Sequence, residues 1–379
     1  MTARRTLVLG AAAVGLLAAP LVSEVRVRRV AQPLTYRWRT LEIEPRGPAM
    51  LGFSARPRQA EAFGLDPLDT LRALLELPFE LVRLGAYWNH MEPAAGAFDT
   101  AELDRQVEAV ERAGRKTVIC VGAVKTFGYP ECFIPGHRLD RPIPEGTLVT
   151  RRTHTALLDA ATAQVRRVVE RYRGRESIVA WQVEHEAVDP LGVEHSWRLG
   201  TDFVEDEVAA VRASDPTRPV LLNGFLPTSL AVRAQQAWRT RDQGDSLALA
   251  GSVADIVGLD VYPRHAVVGA GAWSVYLEGR PRTWNLPRAQ RPSQQVMVTE
   301  GQAEPWETST TPPDLHGRAA WSCGPDGVIE NYNRCLLAAR GRGVELSAYL
   351  FWGAEYWVRR LRDGDPSYMG AVARVLEHA

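Results

Sequence analysis

The stretch SIVAWQVEHE, residues 177–186, is apolar and rich in β-branched side chains until it closes on two carboxylates with a histidine between them. Its body reads as a buried β-strand. An ionised carboxylate stranded in a dry interior costs several kcal/mol or more unless it is paired, hydrogen-bonded or put to chemical use. Glu184 and Glu186 therefore require partners from elsewhere in the chain. Seven further runs have the same character: AMLGFSA (49–55), ELVRLGAYW (80–88), KTVICVGAV (116–124), PVLLNGF (219–225), DIVGLDVYP (255–263), QQVMVTEGQ (294–302) and LSAYLFWG (346–353). Near-continuous apolar runs are the pattern of parallel strands covered on both faces.

The intervening segments read as helices. In FDTAELDRQVEAVERAG, Asp99 or Thr100 serves as N-cap, Leu103, Val107 and Val110 form an apolar stripe, and Gly114 is a stop. HTALLDAATAQVRRVVERYRG carries the same signature at greater length. Strand followed by helix, repeated eight times with right-handed crossovers, predicts an α/β fold, a (β/α)8 TIM barrel. An open doubly wound sheet is the alternative, disfavoured because no glycine-rich phosphate loop follows the first strand. Long loops rich in Pro, Gly and aromatic residues follow the third, sixth and seventh strands, on the face where barrel enzymes build their sites. No composition break divides residues 31–379, which read as a single catalytic domain.

Forty-five basic residues balance forty-five acidic ones, so net charge suggests neither nucleic acid nor an acidic membrane surface as partner. Lys occurs only at positions 116 and 125, a bias toward Arg. Eleven Trp offer core bulk or platforms for sugar rings. Residues 1–30 place an Arg pair before an apolar run and more Arg after it, the layout of a signal peptide or an N-terminal membrane anchor. Export is therefore expected, to the cell exterior, the periplasm or a membrane-attached state. Cys120, Cys132, Cys323 and Cys335 lack metal-site spacing. An exported chain permits a disulfide, for which Cys132 and Cys323 are the more plausible pair, while Cys120 reads as a packed thiol.

The strand tips gather Arg83 and Trp88 (second), Glu184, His185 and Glu186 (fourth), Asp260 and Tyr262 (sixth), Glu300 (seventh) and Trp352 (eighth). This order resembles the retaining glycoside hydrolases of clan A, whose catalytic glutamates end barrel strands four and seven, over roughly residues 51–352. WQVEHE is similar to the WQxxNE pattern of family 42 and family 35 galactosidase-like members, and VMVTEGQ to the seventh-strand nucleophile motif. Arg83 resembles the second-strand arginine of family 5 cellulase-like enzymes, Trp352 the eighth-strand tryptophan, and YWNHMEPAAGAFDTAELD a segment of several of these families. His185 departs from the pattern by standing where asparagine is usual. Imidazole also hydrogen-bonds a hydroxyl, but it gains charge near pH 6.5.

The resemblance implies Glu300 as nucleophile and Glu186 as acid/base in a double displacement on a β-linked glycan or glycoside. It implies Arg83, Trp88, His185, Tyr262 and Trp352 as substrate-binding residues, and neither metal nor organic cofactor. Glu184, two positions before Glu186, would share its face unless a bulge re-aims the tip, and is expected behind the site on an Arg or His. Glu304 and Glu355 read as rim carboxylates facing sugar hydroxyls or solvent. A transglycosylase uses the same residues. A non-catalytic carbohydrate-binding barrel would be expected to lose one glutamate, and a metal-dependent barrel hydrolase to carry a His-x-His pair on an early strand; the chain does neither.

Overall fold

Eight apolar runs become eight parallel strands because each buries both faces, one toward the barrel axis and one toward a helix. The computed structural model describes residues 23–29, 36–128, 132–189, 197–270, 273–305 and 322–379. The barrel strands are β1 (Met50–Ser54), β2 (Leu81–Gly85), β3 (Lys116–Cys120), β4 (Ile178–Gln182), β5 (Val220–Phe225), β6 (Ile256–Val261), β7 (Gln295–Gln302) and β8 (Leu346–Trp352). Each pairs with its neighbour in parallel, and β8 closes on β1 through Ala348↔Met50 to Phe351↔Phe53. The predicted TIM barrel is the observed fold, with several strand ends earlier than the apolar runs suggest.

The helices packed around the strands include α1 (Pro67–Leu75), α2 (Ala101–Arg112), α3 (Thr155–Tyr172), α4 (Thr201–Ser214), α5 (Ser246–Val253), α6 (Pro325–Gly341), α7 (Ala354–Arg362) and α8 (Ser367–His378). At the start of α2 it is Asp99 that accepts the backbone N–H of Ala101, whereas the Thr100 hydroxyl donates to Asp104. Gly114 ends the turn at φ 68°. Leu103, Val107 and Val110 are buried as the stripe requires.

The eightfold alternation has one exception. Among the described residues no α-helix lies between β6 and β7: a hairpin of His265–Ala270 and Trp273–Leu277 takes its place, followed by a 3-10 turn at Pro281–Thr283. Val25–Arg29 adds a third, antiparallel strand to that hairpin. Glu24, just before it, is buried and accepts from Ser229 Oγ and the Leu230 N–H. The expected leader lies, through residue 22, outside the described residues. Among the described residues no helix is long and apolar enough to cross a membrane.

The barrel interior is layered. Leu81, Val118, Ala180, Leu221, Ile256, Met297, Ala348 and Leu350 fill its lower part as one apolar cluster. Two residues further along four of these strands, alternation places Arg83, Cys120, Gln182 and Asn223 on the same inward face, one layer nearer the mouth. The lower layer is a packed core and the upper one is polar, so the chemistry sits at the C-terminal ends of the strands. No disulfide tightens the fold: all four cysteines are unbridged, which corrects the expected Cys132–Cys323 pair. Cys323 is instead buried against the Gln302 carbonyl and the Asn331 amide. Cys120 is a packed thiol, its pKa pushed up to about 12 by burial.

Candidate active site

Glu300 ends the apolar part of β7 and faces Arg83 from β2. The Arg83 guanidinium, wholly buried, donates from Nη2 to Glu300 Oε1 at 2.6 Å, from Nε to Ser54 Oγ at 2.8 Å and from Nη1 to Gln182 Oε1 at 3.2 Å. Tyr262, just past β6, donates its hydroxyl to the other oxygen, Glu300 Oε2, at 2.7 Å. Burial first and the charge of Glu300 second raise the Tyr262 phenol well above its usual range, so it remains a proton donor. Each Glu300 oxygen thus meets a fixed donor, one of them a permanent cation.

The β4 tip does not continue as a strand. β4 ends at Gln182, and Glu184 and Glu186 both take left-handed backbone, at φ 55° and 40°. Such conformations cost about 1–2 kcal/mol each in a non-glycine residue, and the surroundings hold them. Gly122 presses on the Glu184 backbone, so closely that a Cβ there would lie 2.0 Å from Glu184 N. Lys125 Nζ donates to the Glu186 carbonyl at 2.8 Å, and the Glu186 N–H donates to Asn223 Oδ1 at 3.3 Å. Lys125 is fully buried.

The double reversal sends the two glutamates to different places. Glu184 points behind the site, where its carboxylate accepts the backbone N–H groups of Val124 (2.9 Å) and Lys125 and lies against Glu207 of α4. Its partners are two amides and a second acid, where an Arg or His was expected. Burial raises both carboxyls above the usual range, Glu207 well above, and the charge of Glu184 adds to the rise at Glu207. The pair is therefore one in which a proton is retained.

Glu186 turns toward the mouth. Its carboxyl faces Asp260, and ligand atoms of His185, Glu186 and Asp260 all lie within 4.8 Å of one another. Asp260 also accepts from Asn223 Nδ2 at 2.5 Å and Thr299 Oγ1 at 2.6 Å. Asn223 Nδ2 lies 2.9 Å from His185 Nδ1, so Nδ1 acts as acceptor and the ring proton belongs on Nε2. Asn223 and Thr299 thus orient the trio from outside. His185 Nδ1 is 3.6 Å from Glu300 Oε1, and its ring lies parallel to Trp352, with centroids 6.5 Å apart. Burial pushes its pKa down to about 3, so the imidazole is neutral where one gaining charge near pH 6.5 was expected.

Trp352 closes the group. Arg56 lies 4.3 Å from the centroid of its ring and Arg83 5.6 Å, while Phe127 meets it edge-on. Arg56 is clamped by Glu304 (2.7 Å) and Glu355 (2.8 Å), all three buried. Burial alone would lower the Arg56 pKa, but the two carboxylates outweigh it and raise it. Glu304 and Glu355 are thus anchors beneath the tryptophan, not solvated rim residues. Trp88 is also set apart. It is wholly buried at the start of a short helix, with its indole N–H donated to Glu92 at 2.7 Å, so it builds the wall.

Arg83, His185, Glu186, Tyr262, Glu300 and Trp352 are therefore joined around one mouth, together with Asn223, Ser54, Gln182, Thr299 and Lys125, to which the sequence reading gave no role. Fold and site together define a TIM barrel with a carboxylate cluster spanning β4, β6 and β7. Residues 68–203 match the family model Glyco_hydro_42, described as beta-galactosidase. A curated beta-galactosidase, BbgII of Bifidobacterium bifidum, is 27% identical over 124 residues, covering 31% of this chain and 18% of that protein. The match thus spans under a fifth of that relative's length.

Solved structures share the architecture across most of the chain. A GH5_18 variant from Streptomyces cattleya in complex with Manβ1-4GlcNAc aligns with TM-score 0.54 at 14% identity, covering 87% of this chain and 80% of that one. Native xylanase 10B from Thermotoga maritima aligns with TM-score 0.53 at 15% identity, covering 87% and 95%. An exo-β-1,4-mannosidase of Opitutaceae bacterium strain TAV5 aligns with TM-score 0.50 at 16% identity, covering 89% and 63%. At such identities the structural likeness speaks for the fold. The family match, taken with it, makes this chain similar to the TIM-barrel glycosidases of clan A, as its motifs imply.

Proposed function

We propose that this protein is a retaining glycosidase acting on a β-linked glycan or glycoside, with Glu300 as nucleophile and Glu186 as acid/base. The observation that carries the reading is Glu300 held by Arg83 and Tyr262 at the end of β7, while Glu186 reaches the same mouth from β4 through His185 and Asp260. In the first step a Glu300 oxygen bonds to the anomeric carbon as Glu186 gives its proton to the departing oxygen. In the second, Glu186 takes a proton from water, whose oxygen displaces Glu300. Trp352 offers an aromatic face to the sugar, and neutral His185 offers a hydrogen bond to a hydroxyl.

The relatives' β-galactosidase, β-mannosidase and Manβ1-4GlcNAc descriptions favour a β-linked substrate. Export, drawn from the leader-like residues 1–30, belongs to the same proposal. The test is Glu186→Gln against two substrates. An aryl glycoside with an activated leaving group should retain far more of its first-step rate than a natural glycoside, because only the natural one needs the proton. Equal losses on both would remove Glu186 from the acid role. Hydrolysis and transglycosylation are separated by whether sugar or water takes the glycosyl group in product analysis.

A further inference from the structure

The glycosidase reading assigns no work to Asp260, yet this carboxylate lies beside the acid. We infer that Asp260 is the positioning residue of the acid/base: it shares one proton with Glu186, and through that shared proton sets the pH above which the acid step fails. The inference rests on the glycosidase reading and goes beyond it.

Asp260 sits in parallel register opposite Glu300, and its two oxygens accept from Asn223 and Thr299. A Glu186 carboxyl oxygen lies within 4.8 Å of the same group. Two buried carboxyl groups this close repel one another if both ionise, so the approach favours a single hydrogen shared between them. The charges facing the pair are Glu300 from β7, Arg83 from β2 and Lys125 from the loop after β3, with neutral His185 from the β4 tip and the Tyr262 phenol beyond β6. Burial first, and the charge of Glu300 second, raise Asp260 well above the ordinary carboxylate range. That fits a pair which keeps its proton at neutral pH.

The charge balance closes. Before reaction Glu300 carries one negative charge and the Asp260–Glu186 pair another. As the glycosidic C–O bond breaks, the pair's proton leaves with the departing oxygen and the pair becomes doubly negative. Glu300 loses its charge on forming the ester, so the cluster's total is unchanged. Deglycosylation reverses this: the pair recovers a proton from water, the water oxygen bonds to the anomeric carbon, and the Glu300 carboxylate is released. Asp260 thus holds the acid protonated in the first half and restores its basicity in the second.

The test compares Asp260→Asn and Thr299→Val with the wild type in pH profiles of kcat/KM on an unactivated and an activated glycoside. Asp260→Asn replaces the proton-sharing oxygen with an amide that donates to Glu186, favouring its ionised form. The basic limb on the unactivated substrate should move down by about one pH unit, about a tenfold loss above the limb. The activated substrate should be spared. Thr299→Val deletes a donor that favours ionised Asp260, so its basic limb should move up. A merely structural role moves neither limb. Unmoved limbs, or both variants shifting the same way, would overturn the inference. If Asp260→Asn fails to fold, the sign of the Thr299→Val shift alone decides: upward supports the inference and unmoved or downward overturns it. A wild type that a mechanism-based fluorosugar fails to label would instead count against the glycosidase reading, leaving the two failures distinguishable.

Discussion

Asn223 shows how much of the site one side chain holds. Its Oδ1 accepts from Gln182 Nε2 at 3.0 Å and from the Glu186 N–H, while its Nδ2 donates toward His185 and Asp260. Asn223→Asp keeps the shape but replaces both donors with a carboxylate oxygen facing Asp260. Each lost donor is worth about 1–3 kcal/mol when its partner stays buried, so losing both should lower kcat on an aryl glycoside by about thirtyfold to about ten-thousandfold. A circular-dichroism melt should still show a cooperative fold, and full activity would contradict the hub role. The sequence displayed the residues that end apolar runs, such as Glu186, Glu300 and Trp352, because a charge or a large aromatic at such an end stands out. Asn223, Gln182 and Thr299 lie inside the runs, where single polar residues read as tolerated. The usable signal was their spacing from inward apolar residues. Lys125 had a different signal: a chain that otherwise uses Arg kept one of its two lysines at a buried position.

At the scale of elements, the β4 tip departs from strand geometry in a way that alternation along 177–186 could not foretell. Period-two reasoning puts Glu184 and Glu186 on one face. Two successive reversals of φ send the first to the Val124 and Lys125 amides and the second to the mouth. Gly122 makes room for that path. Gly122→Ala brings a methyl to within 2.0 Å of Glu184 N and 2.3 Å of its Cα, both backbone atoms that cannot swing aside. The tip must move, and a misplacement of about 1 Å costs of the order of a hundredfold in rate. We expect kcat/KM to fall by at least that order, and wild-type kinetics would show the tip to be less constrained than its geometry implies. The missing helix after β6 has a similar origin. In sequence AVVGAGAWSVY is two β-rich arms with glycines between them, a hairpin signal inside a segment long enough to look like a loop.

For the whole molecule, the eight-strand closure was legible because each strand is a both-faces-buried run, and the barrel then dictates that strands four and seven meet at one mouth. Buried titratable groups around the barrel also tie stability to pH. His185 has its pKa pushed down to about 3 and His265 to about 4, both by burial. Between those values and the unfolded value of about 6.5, the unfolded chain binds protons that the folded chain refuses. Their contribution is therefore full above about pH 6.5 and is lost as pH falls toward about 3. Asp189, raised by burial to about 6, acts in the opposite sense: its contribution is lost as pH rises through that value. Urea midpoints for His185→Asn should fall less steeply with acid than those of the wild type between about pH 6.5 and pH 4. Parallel slopes would contradict a neutral buried imidazole. The central claim, a covalent glycosyl ester on Glu300, is tested most directly by trapping the enzyme with an activated 2-deoxy-2-fluoroglycoside and sequencing the labelled peptide by mass spectrometry. The account predicts one label per chain, on Glu300 within QVMVTEGQ; a label on another residue, or a first product with inverted anomeric configuration, would contradict it.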